Sequence, residues 1–179
     1  SDWLPCTRAA TLKLGRVTNT ARIRLGMGIL LWGLLTSIAA AQLAPSDYIG
    51  GHYVAKSPAA EFKPGSEARR LAAKLATHLP GAFVVQGKGR SMQPLYPHGT
   101  LLVVQPVPYE KLARGMTVVF RTPDNQSLAH VLVARTADGW RTSGLNNRRA
   151  DFIPVQADDI RGVVVAAFAV VDGAAVAWR

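Results

Sequence analysis

The sequence predicts a mainly β, antiparallel domain, preceded by an amphipathic helix and by an N-terminal transmembrane or signal segment. Three observations lead there. After Pro80-Gly81 the chain breaks into short Val-rich apolar runs separated by turn residues, with no helical periodicity between them. Of its 179 residues, 49% are hydrophobic and 18% charged, enough for a packed core and incompatible with a fully disordered chain. From Leu25 to Ser46 no residue is charged, and Ile29 to Ala41 is densely apolar.

The elements follow in chain order. Residues 1–24 form a basic leader in which Arg8, Lys13, Arg16, Arg22 and Arg24 face one acid, Asp2. The positive-inside rule keeps such a leader cytoplasmic and sends everything after residue 45 outward. Residues 25–44 satisfy two membrane patterns. They are long enough for a spanning helix, which takes roughly 20 apolar residues. They also have the basic start, apolar stretch and small residues (Ala39-Ala40-Ala41) of a cleavable secretory signal.

Residues 45–65 mix Pro, Gly, Ser and Ala without periodicity and read as a tether with no core. Ser66 is placed to cap a helix from about Glu67 to His78, with Leu71, Leu75 and Leu79 along one stripe. Arg69, Arg70 and Lys74 fall elsewhere on its surface, as a solvated basic face or a contact for anionic lipid. Strands are expected over Ala82–Val85, Leu101–Gln105, Thr117–Arg121, Leu128–Arg135 and Gly162–Val171. Turns separate them at Pro97-His98-Gly99, Arg114-Gly115, Pro123-Asp124-Asn125, Ala137-Asp138-Gly139 and Gly144 to Asn147.

Charge and cysteine count exclude several functions. The single cysteine, Cys6, forms no internal disulfide and no cysteine-rich zinc site, and no metal or cofactor is expected. The net charge of +10 suggests nucleic acid at first. It divides at the membrane segment into +4 before residue 45 and +6 after, and no helix-turn-helix pattern precedes the β region, so no nucleic-acid partner is expected. Anionic membrane lipid suits the distribution better.

Three segments carry groups capable of chemistry. Ser91 lies in Gly87-Lys88-Gly89-Arg90-Ser91, where glycines let the backbone turn sharply and expose its amides. A serine hydroxyl becomes a nucleophile only when a positioned base removes its proton; otherwise it solvates a turn. His130, 39 residues later on a strand pattern, is such a base if Ser91 lies within hydrogen-bond reach, and a half-buried packing residue if not. Asp151 follows the turn Gly144 to Asn147 and is placed either to close a loop or to orient the imidazole as a third member. His52, His78 and His98 are expected at solvated surface positions.

Together these segments resemble the S24/S26 serine peptidases, which join type I signal peptidases with the LexA-like self-cleaving proteases, over about residues 83–166. Gly89-Arg90-Ser91-Met92-Gln93-Pro94 resembles the nucleophile box and Leu112 to Phe120 the next box. Gly144 to Asn147 resembles the Gly-Asp-Asn-Asn turn, and Ile160-Arg161-Gly162 the closing segment. His130 stands where the base belongs, and no lysine follows Lys111, so the resemblance is to the histidine branch found in archaea and the endoplasmic reticulum.

The resemblance implies a LexA/signal-peptidase-like β domain over residues 66–179, counting the helix. It implies a membrane-associated serine endopeptidase on the outer side of the cytoplasmic membrane, or one secreted after signal cleavage, cutting exported precursor proteins after small residues. It implies Ser91, His130 and Asp151 as the catalytic set, with Gly89, Arg90, Met92, Pro94, Asn146 and Asn147 around substrate and oxyanion. Met92 fits a pocket or the core equally. Val131 and Leu145 replace the Arg and Asp common in the family, which leaves an inactive exported β module with the same fold as the alternative.

Overall fold

The computed structural model describes residues 47–171. The leader and the apolar segment 25–44, with the membrane or signal role expected of it, lie outside the described residues. No helix among the described residues is long and apolar enough to cross a membrane.

Nine strands and one α-helix make up this region: β1 (Tyr48–Ile49), β2 (His52–Tyr53), β3 (Ala60–Pro64), α1 (Gly65–His78), β4 (Phe83–Gln86), β5 (Leu101–Gln105), β6 (Thr117–Arg121), β7 (Ser127–Thr136), β8 (Gly139–Ser143) and β9 (Ile160–Val171). The main sheet runs β4-β5-β9-β6-β7-β8, antiparallel throughout, and β3 pairs with β9 in parallel. The five expected strands are all present, each displaced by two residues at most. The 12-residue β9 lies at the centre, hydrogen-bonded to β5 and β6 and, near its C-terminal end, to β3.

Alternation along the strands builds a core on each face of the sheet. On β5, Leu101 and Val103 face α1 with Phe168, while Leu102 and Val104 enter a second cluster with Met92, Tyr96, Val119 and Val131. On β6, Val118 and Phe120 pack with Leu132 and Trp140. Val85, Leu102, Val119 and Ala129, from four different strands, line one cavity, so the sheet curls around it.

Two expectations need correction. The segment 45–65 is not a tether: it holds a two-stranded hairpin and β3, and Val54 is buried in the core. Its strands are two to five residues long, too short for a period-2 pattern to emerge among the Pro and Gly residues. Backbone pairing to β9 and burial of Val54 order it nonetheless.

The helix, likewise, starts at Gly65 rather than beyond Ser66. Pro64 is its N-cap, with φ −55° and ψ 144°, and no side chain caps it. Since β3 ends at Pro64 and the helix begins at once, Ser66 is already inside the first turn, past the position from which a hydroxyl caps. Ala68 and Ala72 are its buried residues. Their small side chains let the helix approach the sheet, leaving Leu71, Leu75 and Leu79 half-buried on the flanks. Arg69, Arg70 and Lys74 are exposed, as expected.

Candidate active site

Ser91 sits in the loop between β4 and β5, on a run of turns that starts after Gly89. Gly89 has φ +100°, a conformation that favours glycine, and its N–H donates to His98 Nδ1 at 3.1 Å. His98 is exposed, as expected, and its ring accepts this bond from the loop. Beyond Ser91 the chain turns back through Gln93 N–H to Arg90 O and Tyr96 N–H to Met92 O, across the cis peptide Gln93-Pro94. Tyr96 anchors this loop: its hydroxyl donates to Pro58 O at 2.9 Å, and burial raises its pKa so that the phenol stays neutral.

His130 is on β7, opposite Val118 of β6, and is 3% exposed. The edge of Phe120 packs against its ring, with centroids 6.3 Å apart. Its Nε2 lies 3.1 Å from Ser91 Oγ and its Nδ1 lies 2.6 Å from Asp151 Oδ2.

Asp151 is held by strand β8, which the sequence reading did not identify. After β8 the chain loops out through residues 144–150 and returns beside the strand. Asp151 N–H donates to Thr142 O at 2.8 Å, and Trp140 and Val155 exchange backbone bonds at 2.9 and 2.8 Å. Thr142 Oγ1 also donates to Asp151 Oδ2, at 2.6 Å. Burial on its own raises the Asp151 carboxyl, but hydrogen bonds from His130 and Thr142, with the His130 charge, hold it below the ordinary carboxylate value. An ionised Asp151 only accepts, so His130 Nδ1 is the donor, and it is Nε2, when it carries no proton, that accepts from the Ser91 hydroxyl.

The turn at 144–147 locks the two loops together. Asn146 N–H donates to Ser91 O at 2.8 Å and Asn146 Nδ2 to Arg90 O at 3.3 Å, while Asn147 N–H returns to Gly144 O at 3.2 Å. Gly144 is required by space: a Cβ there would lie 2.9 Å from both Ser91 Cβ and Ser91 O, and 2.8 Å from Asn147 Nδ2.

Sequence reasoning thus named three side chains that the fold brings together in one hydrogen-bonded row, with Asn146 bonded to the serine loop. Met92 is buried in the core and also lines the cavity next to Ser91. That cavity, of about 170 Å³, is walled by Val85, Lys88, Leu102, Leu128 and Ala129. Pro94 is exposed and bonds to none of these groups. Val131 and Leu145 are 0% and 4% exposed and belong to the core, so both departures from the family pattern are packing positions.

His52 corrects its expectation: it is half-buried, with Nε2 3.3 Å from the hydroxyl of buried Ser143. His78 is exposed at the helix end, as expected. The residue missed outright is Thr142. Its signal was the alternation Trp140 in, Arg141 out, Thr142 in, just before the glycine turn, which marks a short half-buried strand.

No curated protein matches the chain. A family model described as Peptidase S24-like matches residues 48–165, which contain the Ser91, His130 and Asp151 row and all but the last part of the sheet. The chain belongs to the Peptidase S24-like family, within the serine peptidases of the S24/S26 superfamily.

Proposed function

We propose that this peptidase is a membrane-associated endopeptidase of the signal-peptidase type, cleaving exported precursor proteins after small residues through Ser91 and His130. The observation that carries the mechanism is the row from Ser91 Oγ through His130, at 3.1 Å, to Asp151, at 2.6 Å. Ser91 Oγ attacks the peptide carbonyl while His130 Nε2 takes its proton, and Asp151 stabilises the imidazolium that forms. The proton then passes to the leaving amine, which departs with the C-terminal fragment and leaves an acyl-serine. Water, deprotonated by the same Nε2, releases the acyl group. The Ser91 N–H donates to no atom of the described residues, which suits it to receive the oxyanion.

Placement at the cytoplasmic membrane with the domain on its outer side, or secretion after signal cleavage, rests on the basic leader and the uncharged run 25–44. The small size of the cavity beside Ser91 favours small residues before the cut. The test is cleavage of a peptide carrying Ala at the first and third positions before the bond, by the full chain in detergent. Ser91→Ala and His130→Ala are expected to lower kcat by about 10³-fold or more with circular dichroism unchanged. Equal cleavage by wild type and both variants would sink the mechanism, and cleavage confined to large residues would sink the specificity.

A further inference from the structure

Two of the loops that build this site carry an unbalanced charge. Between Glu67 and Glu110 the chain has no acid, and between Asp138 and Asp158 it has only Asp151, whose carboxylate is committed to His130 and Thr142. In these two stretches the loops that hold the site carry four cations. Lys88 lines the cavity next to Ser91, Arg90 adjoins the serine, and Arg148 and Arg149 follow Asn146 in the loop that is hydrogen-bonded to the serine loop. All four are exposed, and none is in an ion pair among the described residues. Positive charge around a concave site focuses its field there and attracts groups of the opposite sign.

We propose that these four residues select substrates with acidic side chains beside the scissile bond, making Lys88, Arg90, Arg148 and Arg149 determinants of specificity. The inference rests on the peptidase reading and adds to it a charge preference beyond the selection of small residues. The exposed Phe152 and Ile153 on the same loop suit an anionic lipid surface as well. The position of Lys88 on the cavity wall favours a peptide, because a lipid headgroup engaged by the outer arginines has no need of a cation beside the nucleophile.

The test uses the full-length Ser91→Ala chain in detergent, so that binding is read without turnover. The probes are two fluorescent peptides, identical except for Asp or Lys at the two positions after the cut. Exposed ion pairs are individually weak, and together four cations are expected to favour the acidic peptide by about tenfold in Kd at low salt, falling toward unity in high salt. Adding Lys88→Glu and Arg148→Glu should reverse the order. No difference between the peptides at low salt, through equal binding or none, overturns the proposal, as does a preference surviving both reversals. Vesicles containing phosphatidylglycerol that bind through Arg148 and Arg149 while the peptides show no preference would assign the charge to lipid and overturn it too. A chain that prefers the acidic peptide while its Ser91 parent cleaves neither would instead fault the peptidase reading alone.

Discussion

Thr142 and Asp151 are bonded twice, once from the threonine hydroxyl to the carboxylate and once from the aspartate amide to the threonine carbonyl. The carboxylate is thereby fixed in position and rotamer before it meets His130. Both donors converge on Oδ2, so the Thr142 hydroxyl and the imidazole hold one oxygen between them. Thr142 is fully buried, and water has no access with which to replace its hydroxyl.

Thr142→Val, close to isosteric, should therefore cost about 1–2 kcal/mol of transition-state stabilisation, roughly tenfold in kcat/KM. Thr142→Ser should restore most of it. Peptide cleavage by the three proteins checks this; a Ser variant no better than Val would reduce Thr142 to a packing residue.

Asp151 also sets an acid limit on stability. Its folded pKa is below the unfolded value, so its contribution is fully present above the unfolded carboxylate range and is lost as pH falls through the lowered folded value. Asp151→Asn should lose stability at neutral pH and show a flatter decline on acidification. Urea unfolding from about pH 7 down to about pH 2 measures it; parallel curves for the two proteins would contradict the lowered pKa.

Gly144 separates positioning from packing. In Gly144→Ala the methyl meets Ser91 and Asn147 at under 3 Å, and relief comes by moving the serine loop away from His130. The expected loss of stability is about 1–3 kcal/mol, as in other overpacked sites. Activity should fall by more than that loss of stability would explain. Tm and kcat measured together decide it: a variant with reduced Tm and unchanged kcat would show that the loops absorb the methyl elsewhere.

Val54 tests whether the N-terminal hairpin belongs to the domain. It is 4% exposed and packs in the cluster that holds Met92 and Leu145. Val54→Ala should destabilise the protein by about 1–3 kcal/mol through lost burial and the cavity left behind. Chemical denaturation reads it directly; no change would return this segment to the status of a tether.

What was legible in the sequence, and what was not, divides on physical grounds. The Val-rich strands and their turns were readable because three or more apolar residues in a row, closed by turn residues, leave few alternatives. Ser91, His130 and Asp151 were readable because each is a reactive residue type next to a glycine turn or on a strand pattern. The pairing of Ala60–Pro64 with β9 was not, since a parallel partner more than 100 residues away leaves no local trace in Ala-Glu-Phe-Lys-Pro. Strand β8 was hidden because Gly139-Trp140-Arg141-Thr142-Ser143 has low apolar content and owes its form to neighbours on both edges. With β8 unseen, Thr142 had no place from which to be proposed. The helix start was misread because a capping serine is a local signal and the strand running straight into Gly65 overrides it.

Strand β9 also governs when the molecule assembles. It lies between β5 and β6, so it joins the half of the sheet that carries the Ser91 loop to the half that carries His130 and Asp151. A chain leaving the ribosome has produced all three side chains by residue 151, yet the seam between the two halves is filled only once residues 160–171 emerge. The alignment of Ser91 with His130 is therefore tied to the emergence of residues 160–171, and a nascent chain lacking β9 has the residues of the site without their arrangement.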